Sequence, residues 1–307
     1  MRYIEVSRLL IKSSREKIPF SFIIKNTMNA TLDPIDFYIQ QGQISNPSPY
    51  SNWFDDLPTD LAGIIQIIQG VMLHLHWAER YGVSLEKSRQ EEANLRTVRD
   101  RLAKIFELQD TPLNQPRSPL TKTVGTCRDF TLLLTAILRH KGIPARARAG
   151  FGTYFTPKRF EDHWVCEYWH PGDERWAMVD PQLDDLQCEV LAIDFDPLDM
   201  PREKFVTGGV AWLRCQNNGA DPDLFGIFNL HGLDFIKGNV ILDFLALNKI
   251  ELLPWDDFKL IAKSYDEMST TEKALIDHIA HISNNEPIDF DLLRSFFSTH
   301  QGQLTPD

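Results

Sequence analysis

Residues 124–146 read VGTCRDFTLLLTAILRHKGIPAR, and this stretch decides the fold because it specifies one strongly apolar helix together with both of its ends. Thr126 and Asp129 have the spacing of a capping box, which predicts Thr126 as the N-cap and Cys127 as the first helical residue. Apolar residues then recur on one helix face: Phe130, Leu133, Leu134, Ile137 and Leu138. The pattern predicts a helix from Cys127 to the residue before Gly142, which is a typical helix stop.

The predicted position of Cys127 has a chemical consequence. At a helix N-terminus, unpaired N–H groups and the positive end of the helix dipole favour a thiolate over a thiol. The thiolate is the nucleophilic form of cysteine. A lone cysteine is nevertheless more often a buried structural residue, so a catalytic role requires partner residues elsewhere in the sequence.

Possible partners lie on a β-hairpin further along the chain. Residues 160–169 (FEDHWVCEYW) and 175–181 (RWAMVDP) have strand composition, and the PGDE segment between them predicts a turn. His163 and Asp180 then lie at the same end of the hairpin, where the carboxylate can orient the imidazole. Asp162 is a rival for this role, but consecutive strand residues face opposite ways, which favours Asp180.

Four motifs occur in a fixed order over about 124–181: GTCRDF, GIPAR, DHWVCEYW and WAMVDP. The spacing is 36 residues from Cys127 to His163 and 17 from His163 to Asp180. In this combination the chain resembles the transglutaminase-like superfamily, particularly its bacterial, protease-like branch. The resemblance implies an α+β, papain-like core in which the helix that carries the cysteine packs on an antiparallel sheet. It further implies Cys127 as the nucleophile, His163 as the general base and acid, and Asp180 as the orienting carboxylate.

The sequence departs from this family at two motif positions. Arg128 stands where protein-crosslinking transglutaminases have a tryptophan, and Gln182 replaces the usual threonine after the Asp-Pro pair. We recognise no calcium-binding or immunoglobulin-like module, and we expect no cofactor. These differences slightly favour hydrolysis of an amide or peptide substrate through a Cys127 thioester. An amide-forming transferase with a dedicated substrate and a non-catalytic scaffold protein remain as alternatives.

The substrate pocket is less well specified by the sequence. One oxyanion donor is expected to be the backbone N–H of Cys127. For the second donor we name Gln115, or alternatively Asn114, by analogy with the upstream side-chain donor of papain-like enzymes. Trp164 is the candidate pocket wall, although aromatic residues on strands are more often part of the core.

Two further polar patterns have simpler explanations. If the LHLHW segment is helical, His74 and His76 point roughly 200° apart and cannot share one metal ion, so no metal site is predicted. Arg146 and Arg148 alternate with alanines, which places both guanidinium groups on one strand face. We expect them to pair with local acids or water rather than with a substrate carboxylate.

Composition narrows the functional classes. The 307 residues are 43% hydrophobic and 24% charged, which is typical of a soluble globular protein. The net charge of −11 disfavours nucleic acid as a partner. The N-terminal segment has neither a signal peptide's apolar core nor a membrane span, so we expect a cytoplasmic protein without membrane contact. The four cysteines form no C-x-x-C pair, which favours free thiols in a reducing compartment.

The remaining pattern suggests three segments that could still form one compact domain. Residues 1–110 are expected to be mainly helical, 111–195 to form the catalytic core, and 196–307 to form a helical extension; the oligomeric state is open. The individual elements predicted outside the core are a strand at 18–26 and helices at 61–82, 86–108, 240–248, 255–264, 271–283 and 289–298.

Overall fold

The structure, a computed structural model, describes residues 33–284 and 286–306. The strand predicted at 18–26 lies outside these residues. The described residues form eleven α-helices, an open six-stranded sheet and a separate two-stranded ribbon, so the predicted α+β class is confirmed.

The helices are α1 (Pro34–Ile39), α2 (Leu61–Val71), α3 (Lys87–Gln90), α4 (Val98–Leu108), α5 (Cys127–His140), α6 (Asp185–Leu191), α7 (Gly208–Asn218), α8 (Leu233–Leu247), α9 (Lys259–Ala262), α10 (Thr270–Asn284) and α11 (Phe290–Leu304). The strands are β1 (Met72–His74), β2 (Thr123–Gly125), β3 (Ala145–Gly152), β4 (Phe160–His170), β5 (Arg175–Val179), β6 (Phe205–Thr207), β7 (Phe225–Ile227) and β8 (Leu230–His231).

Helix α5 has the ends that its sequence predicts. The backbone N–H of Thr126 donates to the Asp129 carboxylate at 2.9 Å, which is the return bond of the capping box. At the other end Gly142 adopts a φ of +76°, and the N–H of Ile143 reaches the Leu138 carbonyl at 2.9 Å. This αL turn favours glycine because a side chain there would be strained.

The sheet supports α5 from one side. Its strand order is β6-β3-β4-β7-β8, with β5 on the same edge of β4 as β7, and α5 packs on β3 and β4. Thr135 on α5 lies 3.5 Å from the sulfur of Cys166, which is fully buried in the core. The helix carrying the cysteine therefore packs on an antiparallel pair of strands, as predicted, although the sheet as a whole is mixed because β7 pairs with β4 in parallel.

The hairpin of β4 and β5 forms as the sequence predicts. Cys166 pairs with Val179 and Trp169 with Trp176, so Asp180 follows the last residue of β5. On the other edge of β4, His163 pairs with Gly150 of β3. A Cβ on Gly150 would lie 2.3 Å from the backbone oxygen of Val206, so the close approach of β6 requires glycine there.

The helix predicted at 61–82 is wrong beyond Val71. Residues 72–74 leave the helix to form β1, which pairs in parallel with β2. The apolar spacing that suggested one long helix is instead shared by two elements, and hydrogen bonds to a strand distant in sequence decide between them. As a result His74 lies beside the strand that leads into Cys127.

The helix predicted at 86–108 is divided. A 3-10 helix, Glu91–Asn94, separates α3 from α4, and Thr97 caps α4 by accepting a hydrogen bond from the N–H of Asp100 at 3.1 Å. Glu92, buried in this break, accepts the backbone N–H of Val124 at 2.7 Å. This contact with β2 is a tertiary interaction that helix periodicity does not reveal.

The four helices predicted after residue 230 are present with different lengths. The first, predicted at 240–248, begins at Leu233, and the second, predicted at 255–264, shrinks to Lys259–Ala262. The third closely matches 271–283, and the fourth, predicted at 289–298, continues to Leu304.

One apolar core includes residues from both flanks and from the sheet. Its buried members run from Tyr38 in α1 to Leu304 in α11, and the Tyr38 hydroxyl donates to the Leu247 carbonyl at 2.8 Å. The three segment boundaries given above remain a prediction. Among the described residues, no helix combines the length and the apolar character that crossing a bilayer requires.

Arg146 and Arg148 are buried on one face of the sheet, paired with acids as expected. Arg146 contacts Glu167 at 2.7 Å, and Arg148 contacts Glu167 at 3.2 Å. Asp243 on α8 holds Arg148 through two bonds of 2.8 Å and also accepts the N–H of Ala149 at 3.0 Å. The network joins α8 to β3 and leaves neither arginine for a substrate.

Replacing Asp243 by asparagine should strongly destabilise the fold. The variant keeps the side-chain volume but leaves the buried Arg148 charge to share Glu167 with Arg146, which should lower the free energy of unfolding by about 3–5 kcal/mol. Urea denaturation measures this loss. Asp199→Ala is the control, because it breaks only an exposed pair with Arg175, for which less than about 1 kcal/mol is expected. Equal losses in the two variants would contradict the interpretation.

Candidate active site

The structure brings Cys127, His163 and Asp180 together. The first is the N-terminal residue of α5, the second lies on β4, and the third follows β5. His163 Nε2 lies 2.8 Å from Asp180 Oδ2, which leaves Nδ1 as the ring nitrogen available to the thiol. The exposed fractions of the three residues are 7%, 2% and 0%, so a reactant reaches them only through the adjoining cavity.

The electrostatics of Cys127 and His163 are coupled. Burial raises the pKa of the Cys127 thiol, while the charge of His163 and a hydrogen bond with it act in the opposite direction. Burial lowers the pKa of His163, but the charges of Asp180 and Cys127 outweigh this effect and raise it to about 10. The arrangement therefore favours an imidazolium beside the sulfur at neutral pH. Its charge offsets part of the effect of burial, which still holds the pKa of the Cys127 thiol above its ordinary value.

The Asp180 carboxylate is held by three donors. Besides His163, the hydroxyl of Tyr154 donates to Oδ2 at 2.6 Å, and the backbone N–H of Gln182 donates to Oδ1 at 3.0 Å. Sequence reasoning missed Tyr154, which lies in the loop between β3 and β4 and carries no motif. Gln182, the departure after the Asp-Pro pair, thus contributes its backbone to the carboxylate.

Gln115 and Trp164 do not occupy the places expected for them. Gln115, like Asn114, is exposed on the connector before β2 and is absent from the cavity wall. Trp164 is fully buried and its indole N–H has no partner within the described residues, so the side chain belongs to the core rather than to the wall. Its backbone N–H, however, hydrogen-bonds the sulfur of Cys127 and lowers the pKa of that thiol.

A cavity of about 500 Å³ opens beside Cys127 and His163. Much of its wall is apolar and comes from loops and elements outside the hairpin, including Phe155, Leu191, Ile227, Phe228, Leu230 and Trp255. Leu230 and Phe228 are 37% and 47% exposed, so the apolar wall continues to the protein surface. A cavity of this size and lining suits a side chain or short peptide segment with apolar character.

Acidic side chains also border the cavity. Asp162, the rival to Asp180, accepts a hydrogen bond from Asn239 at 2.9 Å rather than contacting the imidazole nitrogens, and burial raises its pKa to about 6. Asp256 is already paired with Arg96 at 2.7 Å. Asp257 is exposed at the rim.

Both histidines of the LHLHW segment line the cavity. The helical geometry that was expected to separate them is wrong, because His74 ends β1 and His76 follows in a turn. Burial, with the charges of His76 and His163, lowers the pKa of His74 well below its ordinary value. Burial also lowers the pKa of His76 to about 4, so both rings are neutral at physiological pH.

Arg128, the departure directly after the cysteine, points away from the cavity. Its guanidinium is 1% exposed and donates to the backbone oxygen of Glu251, to that of Arg96 at 2.7 Å, and to the Asp129 carboxylate at 2.9 Å. The residue therefore anchors the start of α5 to two loops.

The part of the chain that contains these residues is similar to known proteins. Residues 80–181 match the family described as the transglutaminase-like superfamily, and this range contains Cys127, His163 and Asp180. Over 105 residues the chain is 30% identical to a Pseudomonas aeruginosa protein named protein-glutamine gamma-glutamyltransferase. The match covers 29% of this chain and 16% of that protein. No solved structure matches the chain.

The reactivity of Cys127 should depend on His163. At pH 7, replacing His163 by asparagine removes the charge that lowers the thiol pKa, so alkylation by iodoacetamide should slow by about tenfold for each unit of pKa gained. Peptide mapping by mass spectrometry measures the rate at each cysteine separately. Cys166 is the internal control, since burial raises its pKa to about 12 and it should stay unlabelled in the folded protein. An unchanged rate at Cys127 would contradict the coupling.

Removing the Tyr154 hydroxyl should weaken the hold on Asp180. Because Tyr154→Phe deletes one hydrogen bond to a buried carboxylate, we expect a loss of about 1.5–3 kcal/mol in that interaction and a shift of the His163 pKa. NMR titration of the His163 ring in the wild type and the variant measures the shift. Tyr168→Phe, which changes another tyrosine that makes no contact with Asp180 in the structure, is the control. Identical His163 titrations in all three proteins would contradict a role for Tyr154.

Proposed function

We propose, on the match of residues 80–181 to the transglutaminase-like superfamily, that the chain is a cysteine enzyme that transfers the acyl group of an amide through Cys127. One observation carries the proposal: His163, held by Asp180 at 2.8 Å, faces Cys127 on the wall of a cavity. In this proposal Cys127 is the nucleophile, His163 the general base and acid, and Asp180 the residue that orients the ring.

The reaction proceeds in two halves. The Cys127 sulfur attacks the amide carbonyl, and the tetrahedral intermediate collapses to a thioester as His163 protonates the leaving nitrogen. His163 then accepts a proton from the second reactant, which attacks the thioester and releases the acyl product. The buried position of Asp180 keeps the imidazole in one orientation through both halves.

We propose water as the second reactant, so that the enzyme hydrolyses its amide. Water needs only entry to the cavity and no dedicated binding group. Transfer to an amine is the second candidate, supported by the name of the P. aeruginosa relative, a gamma-glutamyltransferase, and by acidic groups on the cavity wall. Glu161 and the exposed Asp257 would attract a cationic amine.

The chemistry of the wall supports an apolar group next to the reactive amide. Ile227 and Phe228 of the β7–β8 hairpin line the cavity together with Trp255 and Ile261. A large apolar side chain of the substrate would displace water from these surfaces and gain binding free energy in proportion to the area covered. We therefore propose a peptide in which an apolar residue flanks the amide that is attacked.

A scaffold role fits the site less well. Burying a thiol, an imidazole and a carboxylate together costs free energy that apolar residues of the same size would not cost. A protein that only binds a partner gains nothing from this cost. An enzyme does gain from it, because Cys127 and His163 line a cavity in which a substrate can reach them.

A peptide mixture tests the proposal and distinguishes its two forms. Peptides with glutamine and backbone amides beside either phenylalanine or alanine are incubated with the protein, with and without a primary amine. Mass spectrometry then reports cleavage, deamidation and amine incorporation in one experiment, and acid quenching traps an acyl group on Cys127. We expect hydrolysis that prefers the phenylalanine peptides and that Cys127→Ser lowers by at least about 10³-fold.

The matched control is Cys215→Ser, which changes a half-buried thiol far along the chain in α7 and should leave the rate unchanged. Products that form equally well with Cys127→Ser would overturn the proposal. Amine incorporation that exceeds hydrolysis would replace the first form by the second.

A further inference from the structure

The oxyanion formed in acyl transfer needs hydrogen-bond donors, and the groups described above include only one of them. The backbone N–H of Cys127, at the first position of α5, has no intrahelical partner and provides one. Gln115, the residue expected to provide another, is exposed on a connector outside the cavity. A second donor must therefore come from a group on the cavity wall close to the start of α5.

His74 is placed there by the backbone. Strand β1 runs parallel to β2, and His74 pairs with Gly125, two residues before Cys127. The N–H of Leu75 donates to the Gly125 carbonyl at 2.8 Å and extends this register. The His74 ring lies 6.3 Å from the ring of Phe130, which is one helical turn beyond Cys127 on α5.

The hydrogen bonds of His74 define which nitrogen carries its proton. Nδ1 accepts the backbone N–H of His76 at 3.3 Å, so a neutral ring carries its proton on Nε2. Within the described parts of the chain, Nε2 has no hydrogen-bond partner, although the residue is only 7% exposed and lines the cavity. An N–H donor is thus available to a reactant in the cavity.

The charge state suits this use. Burial and the neighbouring charges of His76 and His163 hold the pKa of His74 well below its ordinary value. A neutral ring donates a hydrogen bond without placing a second positive charge beside the His163 imidazolium. A neutral imidazole that polarises a carbonyl is an established electrophile in enzymes.

We propose that His74 is a catalytic residue whose Nε2–H donates to the oxyanion together with the backbone N–H of Cys127. The inference rests on the proposed function. As the bond between sulfur and carbon forms, the carbonyl π electrons move to oxygen, where the two donors stabilise the charge. On collapse those electrons restore the C=O bond, the C–N bond breaks, and the nitrogen leaves with its electron pair and the proton from His163.

Other groups on the wall are less suitable. The side-chain amide of Gln182 already donates to Gln187 at 2.9 Å. Trp77 also carries an N–H and lines the cavity, but it follows the end of β1 by three residues and is outside the pairing with β2. Trp77 is therefore the rival whose removal must be compared with that of His74.

The test uses His74→Phe and His74→Gln in the full chain, with the peptide that is turned over fastest. His74→Phe keeps a ring but removes the donor, so we expect kcat to fall by about 10²–10³-fold with little change in KM. His74→Gln places an amide N–H near the position of Nε2 and should recover at least about tenfold of the loss. His278→Phe, the same change on the exposed surface of α10, is the control and should retain full activity.

Alkylation of Cys127 separates this inference from the proposed function. The Cys127 sulfur displaces iodide from iodoacetamide without forming an oxyanion, so His74→Phe should label at the wild-type rate. The assignment of His74 would be overturned if kcat of His74→Phe were unchanged, or if its labelling fell in parallel with kcat. It would also be overturned if only Trp77→Phe lost kcat. A wild-type protein that forms no acyl-enzyme with any amide would overturn the proposed function, and His74 with it.

Discussion

The carboxylate of Asp129 is the constraint on which the candidate site depends. It accepts the N–H of Thr126 at 2.9 Å and pairs with two arginines, Arg101 at 3.0 Å and Arg128 at 2.9 Å, all in the protein interior. A buried carboxylate is stable only when its charge and lone pairs are matched. Because Arg101 lies on α4 while Thr126 and Arg128 flank Asp129 itself, these contacts tie the first turn of α5 to α4 and thus fix the position of the Cys127 sulfur. Arg128 is consequently a structural partner that holds the start of α5.

Burial also sets the pKa values of Cys127 and His163. Among buried groups each charge acts on its neighbours through a lowered dielectric, so Asp180 and Cys127 together raise the pKa of His163 to about 10 despite the cost of burying an imidazolium. That positive ring opposes the rise that burial causes in the pKa of the Cys127 thiol. The proton between sulfur and nitrogen is therefore controlled by local contacts, and Tyr154 adjusts them through its bond to Asp180.

Part of this site could be predicted from local sequence signals. A capping box, a glycine stop and a tight turn are written in adjacent residues, and they sufficed to locate Cys127 at a helix start and to bring His163 and Asp180 to one end of a hairpin. No such local signal marks Tyr154 or His74. Their roles arise from a loop that folds over Asp180 and from the pairing of β1 with β2, and both contacts join residues distant in sequence. The same pairing ended α2 at Val71, where periodicity alone predicted more helix.

The residues that line the cavity come from two parts of the chain, one inside and one outside the range matched by the family. Cys127, His163 and Asp180 lie inside the range matched by the family, whereas His76 precedes it and Phe228 and Trp255 follow it. Phe228 adopts a φ of +54°, a conformation that is costly for an aromatic residue, and its ring meets that of His76 edge-on at 5.0 Å. Phe228 is 47% exposed and lines the cavity, so this strained residue shapes the cavity wall while burying little apolar surface. The family match therefore covers the three proposed catalytic residues, while much of the apolar cavity wall comes from segments outside the matched range.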